Sequence, residues 1–201
     1  MVDCCKSSFQ EYSFPDDQVA YVAPSWNELE QLTLAVAKQI KDSLYQADYI
    51  VTLAKGGWPM TRSLVDFTGV KEIASIGVKF YSGINQRLIE PEIYQDLPIA
   101  VAGKKILLFD DVADSGGSLD FVTRLLKQRQ AKMVKTATLF YKPKSTFKPD
   151  FFAATTSAWI LFPFERVEMG KLLSQKWHQG TNIKEIKNRC KKLGLISPEK
   201  E

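Results

Sequence analysis

Histidine occurs once in the 201 residues and cysteine three times. A lone His178 builds no histidine metal cluster and gives little support to a Ser-His-Asp triad. It is expected at the surface end of a helix. Three cysteines, two of them adjacent at Cys4 and Cys5, make no disulfide framework. Free thiols in a reducing compartment are the expectation. No apolar run approaches the roughly 20 residues of a membrane helix. The opening Met1-Val2-Asp3-Cys4-Cys5-Lys6 lacks the apolar stretch of a signal peptide. A soluble, cytoplasmic protein is therefore expected. No G-x-G-x-x-G follows an expected strand, which disfavours a dinucleotide-binding dehydrogenase. Internal repeats and low-complexity linkers are also missing.

The chain is 45% hydrophobic and 25% charged, which suits one globular domain with a real core and room for an appendage. Its net charge of +4 is uneven, since residues 171–201 hold eight Lys/Arg against three acids. No aromatic residues interleave with that charge as nucleic-acid binding would favour, so the tail is read as a solvated helix face.

Residues 1–22 read as an irregular leader. Ser25-Trp26-Asn27-Glu28 is a capping box, and the helix it opens carries Leu29, Leu32, Val36, Ile40 and Leu44 at helical spacing. Residues 49–54 form an apolar strand. Lys55-Gly56-Gly57 then turns into a helix ending at Gly69. A strand is expected over 73–81, and a long mobile loop over 82–98, which contains Gly83, Pro91 and Pro98. A strand at 106–111, a helix over 118–130 and a strand over 134–141 follow. Trp159-Ile160-Leu161-Phe162 is a late apolar segment, and two amphipathic helices end the chain, the second opening at Asn182. Strands alternating with helices predict an α/β fold with a central parallel sheet flanked by helices.

The most specific stretch is 106–118, Ile-Leu-Leu-Phe-Asp-Asp-Val-Ala-Asp-Ser-Gly-Gly-Ser. It reads as a buried strand ending in two carboxylates, then a third acid, then a small-residue loop opening a helix. Asp110 and Asp111 can accept hydrogen bonds from neighbouring ribose hydroxyls. Ser115, Gly116, Gly117 and Ser118 offer backbone N–H groups and hydroxyls to a phosphate at a helix N-terminus. Asp114 stands between the two. Either half alone is ordinary turn and cap chemistry; the whole order after an apolar strand suits a sugar phosphate. In parallel sheets ligands bind at the carboxyl ends of strands. Lys55-Gly56-Gly57, the 110–118 loop and Lys142 all fall there.

These blocks resemble the type I phosphoribosyltransferases, and among them the purine enzymes of the xanthine–guanine and hypoxanthine type. The likeness runs from about Ser25 to Glu165. It is carried by 50–57, by 109–118 (the family's phosphoribosyl pyrophosphate, or PRPP, signature), by Ala137-Thr138-Leu139-Phe140-Tyr141-Lys142-Pro143, and by Trp159-Ile160-Leu161-Phe162-Pro163-Phe164-Glu165. The resemblance implies a core and small hood over 23–165, with 166–201 as a helical extension packed on the core. It implies transfer of 5-phosphoribose from PRPP to a 6-oxopurine (xanthine, guanine or hypoxanthine), with Mg²⁺ bound and pyrophosphate released, as in purine salvage. A homo-oligomer, dimer or tetramer, is implied as well.

Carried over residue by residue, Asp110 and Asp111 hold the ribose hydroxyls directly or through magnesium, and Asp114 handles the proton near purine N7. Residues 115–118 bind the 5′-phosphate, and Lys55 and Gly56 the pyrophosphate, with Ala54–Lys55 a non-proline cis bond in many family members. Lys142 donates to the oxygen on purine C6. Trp159 stacks on the base, the Ile160 main chain bonds it, and Glu165 helps with a second metal. The chain departs from the common pattern at Lys55, where Arg is usual, at Phe164 for Trp and at Glu165 for Asp. Two other readings stay open. One is a PRPP-sensing regulator of the same fold; the other is a transferase for adenine or a pyrimidine. Lys142 disfavours adenine, because an ammonium has only donors.

Overall fold

The computed structural model describes residues 9–80, 91–178 and 180–196. In chain order the elements are β1 (Glu11–Phe14), β2 (Asp17–Val22), α1 (Trp26–Asp42), β3 (Tyr49–Ala54), α2 (Trp58–Thr68), β4 (Glu72–Phe80), β5 (Pro91–Gln95), β6 (Lys105–Ala113), α3 (Gly117–Gln128), β7 (Met133–Tyr141), β8 (Phe151–Thr155), β9 (Trp159–Ile160), α4 (Arg166–Trp177) and α5 (Ile183–Lys192). The chain divides into two compact units. One is built on Glu30–Thr156, and the other joins the described residues up to Leu29 with those from Ser157 on. Among the described residues no helix is long and apolar enough to cross a membrane.

The first unit holds a six-stranded sheet in the order β5-β4-β3-β6-β7-β8. Every pairing is parallel except β4 with β5. This is the expected α/β architecture with an antiparallel edge added. The central strands are apolar without alternation, as strands covered on both faces must be. Ile106, Leu107, Leu108 and Phe109 are fully buried, and Val51, Leu53, Ile76, Leu119, Val122 and Leu126 join Ile106 and Leu108 in one core.

The capping box forms: Ser25 Oγ accepts the Glu28 N–H at 3.2 Å, and Glu28 Oε2 accepts the Ser25 N–H at 2.7 Å. Leu29, Leu32, Val36 and Ile40 are buried, but Leu44 is 87% exposed. The helix stops at Asp42, so Leu44 leaves the expected face and takes a left-handed φ of 58°. The expected loop over 82–98 is corrected in part. Residues 91–95 form the edge strand β5, which opens on Pro91 where a missing N–H is tolerated. Residues 81–90 lie outside the described residues. β8 was not expected; its Phe-Phe-Ala-Ala-Thr is too short to show a period.

The second unit corrects the expected leader. Residues 11–22 form a hairpin, β1 with β2, and β2 pairs in parallel with β9. The reason is non-local. Phe14 and Tyr21 pack with Leu161, Leu173, Trp177, Ile186 and Cys190, all distant in sequence. Phe14 meets Trp177 edge-on at 5.4 Å between ring centroids. Helices 166–177 and 183–192 thus share a core with the N-terminal hairpin. The basic tail is also not wholly solvated. Asp17 accepts hydrogen bonds from Tyr21 Oη (2.6 Å), Lys176 Nζ (2.7 Å) and Trp177 Nε1 (2.7 Å). Asp16 accepts one from buried Arg189 at 2.5 Å. Burial pushes the Asp17 carboxyl up, but these donors outweigh it and hold the group well below its ordinary range.

Candidate active site

The chain runs from β3 outward to β4 and then returns to the other side of β3 as β6. That reversal marks a switch point, where crossovers on either side leave a crevice beyond the strand ends. β6 pairs with β3 only as far as Thr52↔Phe109, yet follows β7 to Ala113↔Tyr141. From Asp110 onward β6 therefore parts from β3 and continues beside β7 alone.

Asp110 and Asp111 are successive strand residues. The Asp110 carboxylate bends back, and its Oδ1 accepts the Asp111 N–H at 3.0 Å. The side of Asp111 nearest β3 meets the Lys55-Gly56-Gly57 turn. A Cβ on Gly56 would fall 2.6 Å from Asp111 Oδ2, and one on Gly57 would fall 2.4 Å from Thr52 Oγ1 and 2.9 Å from the Phe109 carbonyl oxygen. Both glycines are demanded by close approach. The Ala54–Lys55 bond is cis. Lys55 is exposed beside this turn.

The loop after β6 turns at Gly116, whose φ is 88° and whose missing Cβ would lie 2.6 Å from Phe147 Cβ. The segment after β7 braces it. Thr146 donates its N–H and its hydroxyl to the Ser115 carbonyl, each at 3.0 Å, and the Lys142 N–H donates to the Ala113 carbonyl at 3.1 Å. Gly116 is the N-cap of α3 and, as a glycine, makes no side-chain capping bond. Ser115 Oγ accepts the Gly117 N–H at 3.4 Å. The N–H groups of the first turn, Ser118 among them, have no intrahelical acceptor, and with the helix dipole they form a cradle for an anion.

Asp114 stands beside this cradle. Its Oδ1 lies 3.3 Å from Lys142 Nζ and 2.9 Å from Lys144 Nζ. The Lys142 side chain is 8% exposed and that of Asp114 half exposed. Partial burial raises the Asp114 carboxyl. The hydrogen bond from Lys144 and the charge of Lys142 outweigh it, so the group sits below its ordinary value. An ionised acceptor, a buried ammonium and a helix N-terminus thus converge within one loop cluster.

Lys55, Gly56, Asp110, Asp111, Asp114, Ser115, Gly116, Gly117, Ser118 and Lys142 all gather at the carboxyl ends of β3, β6 and β7. Trp159, Ile160 and Glu165 belong to the second unit. Trp159 is 39% exposed, so it is not a core aromatic, while Ile160 is buried and pairs with Val22. Glu165 occupies the N-cap position of α4 without a side-chain capping bond. Phe164 stacks on Phe162 at 4.9 Å and lies 6.0 Å from Trp26. Sequence reasoning missed Lys144 and Tyr94. The signal for Lys144 was its place two residues after Lys142 across a proline, which holds the backbone extended. Tyr94, whose hydroxyl donates to the Ala54 carbonyl at 3.3 Å, gave no signal.

A family model described as a phosphoribosyl transferase domain matches residues 25–166. The chain is 30% identical over 128 residues to the hypoxanthine-guanine phosphoribosyltransferase of Bacillus subtilis, an alignment spanning 58% of this chain and 71% of that one. Its fold superposes on a purine phosphoribosyltransferase from Pyrococcus horikoshii with a TM-score of 0.65 and 29% identity, covering 72% of this chain and 93% of the other. A xanthine-guanine-hypoxanthine phosphoribosyltransferase from Helicobacter pylori superposes with a TM-score of 0.63 and 25% identity, over 78% of this chain and 99% of that one. With the acid pair, the anion cradle and the family match falling on the same strand ends, the chain belongs to the type I phosphoribosyltransferases.

Proposed function

We propose that this protein transfers 5-phosphoribose from PRPP to a 6-oxopurine, a purine-salvage reaction of the cytosol that depends on Mg²⁺. A purine nitrogen attacks the anomeric carbon as the bond from that carbon to the pyrophosphate oxygen breaks. Pyrophosphate leaves, and the purine loses one proton. Asp114 is ionised and half exposed, which suits it to accept that proton at N7. Lys142 has three N–H donors; one meets Asp114 and the others suit an oxygen on C6. Ser115, Gly116, Gly117 and Ser118 take the 5′-phosphate, and Lys55 and Gly56 take pyrophosphate. Stacking of Trp159 on the base, and the bond to it from the Ile160 main chain, enter this reading only through the family resemblance.

Asp110 and Asp111 are hard oxygen donors of the kind magnesium takes. Among the described residues no group of three or more His, Cys, Asp or Glu is gathered that could hold a metal ion. Magnesium takes one or two protein carboxylates and completes its shell with substrate oxygens and water. When bound, it would supply charge for the departing pyrophosphate. Glu165 enters this reading only through the family resemblance.

The observation that carries the reading is the buried Lys142 ammonium 3.3 Å from Asp114, beside the start of α3. The test is direct. Protein, PRPP and Mg²⁺ are mixed with each free base and nucleotide formation is followed. Conversion of at least one 6-oxopurine is expected. PRPP binding without turnover of any base would replace the enzyme reading by that of a sensor.

A further inference from the structure

The edge strand β5 carries a β-bulge, and its geometry aims one side chain at the candidate site. Gly77 pairs with Gln95, but the next residue, Val78, pairs with Ile93, so Tyr94 is the extra residue. A bulge residue is released from the ladder and its side chain is re-aimed. The Tyr94 ring lies over Gly77. A Cβ on that glycine would sit 2.3 Å from Tyr94 Cζ and 2.5 Å from Cε2. Lys79 Nζ also lies over the ring, 4.8 Å from its centroid. In the adjoining ladder Gly77 pairs with Ala54. The ring therefore crosses β4 at the one position that has no side chain, and its hydroxyl reaches β3, donating to the Ala54 carbonyl at 3.3 Å.

Ala54 is the last residue of β3, and Lys55 and Gly56 follow it directly. Packing alone does not account for this arrangement. Tyr94 is 40% exposed on an edge strand, where a ring adds little core. The bulge, the notch at Gly77 and the hydroxyl contact act together on one carbonyl.

We propose that Tyr94 is a positioning residue: through its hydrogen bond to the Ala54 carbonyl, in the notch left by Gly77, it fixes the Lys55-Gly56 turn in the orientation that receives the pyrophosphate group of PRPP. The inference rests on the assignment of that turn to pyrophosphate. It goes further in placing the control of the turn on β5, two strands away. No covalent step involves Tyr94.

The test is Tyr94→Phe, which deletes the hydroxyl and keeps the ring in its notch. KM for PRPP in the forward direction, and for pyrophosphate in the reverse direction, should rise about fivefold, the change one neutral hydrogen bond supports. KM for the purine base should stay as in the wild type, and the thermal midpoint should fall by no more than the loss of that one hydrogen bond allows. Gly77→Ala, which drives the ring from the notch, should reproduce the effect. Calorimetric titration of PRPP and of pyrophosphate into wild type and Tyr94→Phe gives the same comparison without turnover. Unchanged affinity for both would overturn the inference while leaving nucleotide formation by the wild type, and so the proposed reaction, untouched. An equal rise in KM for the base together with a midpoint lowered beyond that would make Tyr94 a structural residue only. If the wild type forms no nucleotide with any base yet Tyr94→Phe weakens pyrophosphate binding, the reaction is wrong and the positioning role stands. A wild type that binds neither PRPP nor pyrophosphate overturns both.

Discussion

Lys142 Nζ lies 3.3 Å from Asp114 Oδ1, joining the end of β7 to the loop that follows β6. A buried ammonium needs a counter-charge, because its desolvation cost is otherwise uncompensated. Asp114 supplies it, so the acid and the cation assigned to the base are preorganised against each other before any ligand arrives. Lys144 approaches the same carboxylate oxygen at 2.9 Å from the solvent side.

Asp114→Asn should lower turnover by ~10²–10⁴-fold while PRPP binding persists, since an amide keeps the shape but accepts no proton. Single-turnover kinetics alongside PRPP titration checks this. Near-normal turnover would remove Asp114 from the reaction.

Base selectivity should divide between two residues. Lys142→Ala should erase the preference for hypoxanthine over adenine, because a site that hydrogen-bonds its substrate rejects an analogue with the wrong group. Trp159→Ala should weaken all bases alike, by ~1–3 kcal/mol if stacking on nucleobases elsewhere is a guide. Measuring kcat/KM of both variants on both bases separates the roles. An unchanged ratio in Lys142→Ala would reopen the substrate class.

The acid limb of the pH profile should depend on Lys144. Partial burial raises the Asp114 carboxyl, and the Lys144 hydrogen bond is the largest interaction opposing it. Its folded value is depressed, so the ionised form persists below the ordinary titration range, and any stability it contributes is lost only as pH falls through that depressed value. Lys144→Gln removes a lowering interaction. Activity should then fall at higher pH than in the wild type as the solution is acidified. Coincident profiles of kcat/KM between about pH 3 and pH 7 would show that Lys144 does not act on Asp114.

The two glycines after β3 should fail differently. In Gly56→Ala the new Cβ confronts the Asp111 carboxylate, its Oδ2 at 2.6 Å. This clash falls on side-chain atoms of the acid pair rather than on backbone, so KM for PRPP should rise about tenfold, the order of one charge-assisted hydrogen bond, with a smaller stability loss than at Gly57. In Gly57→Ala the Cβ meets the Phe109 backbone carbonyl at 2.9 Å, which cannot yield. A stability loss of about 1–3 kcal/mol is expected, as for other overpacked sites. Urea denaturation and PRPP kinetics on both variants distinguish the two, and equal stability losses would contradict the assignment.

The second unit should be acid-sensitive through Asp17. Burial raises this carboxyl, but Lys176, Tyr21 and Trp177 together depress it. A depressed folded value contributes stability that is complete above the unfolded value of about 3.9 and fades as pH falls through the folded one. Asp17→Ala strands the Trp177 N–H and should cost about 1–3 kcal/mol near neutral pH. That difference should shrink as the solution is acidified below about pH 4. A penalty that does not vary with pH would mean the ionised form contributes nothing.

The strand–loop–helix order around Asp110–Ser118 was legible in the chain because each part is local: an apolar run, turn residues and a helix start are all fixed by neighbours in sequence. The same holds for the Ser25–Glu28 capping box and for Asn182, whose side chain accepts the Glu185 N–H at 2.9 Å. What tertiary structure alone decided depends on strand order and register. Gly56 faces Asp111 only because β6 lies beside β3, and Tyr94 reaches Ala54 only because a bulge shifts β5 by one residue against β4. The hairpin over 11–22 showed no local sign of its partner, since Asp17 meets Lys176 and Trp177 some 160 residues later. Local hydrogen bonding and periodicity fix the elements. The contacts that orient the site arise between elements distant in sequence, where one residue of register decides which side chains meet.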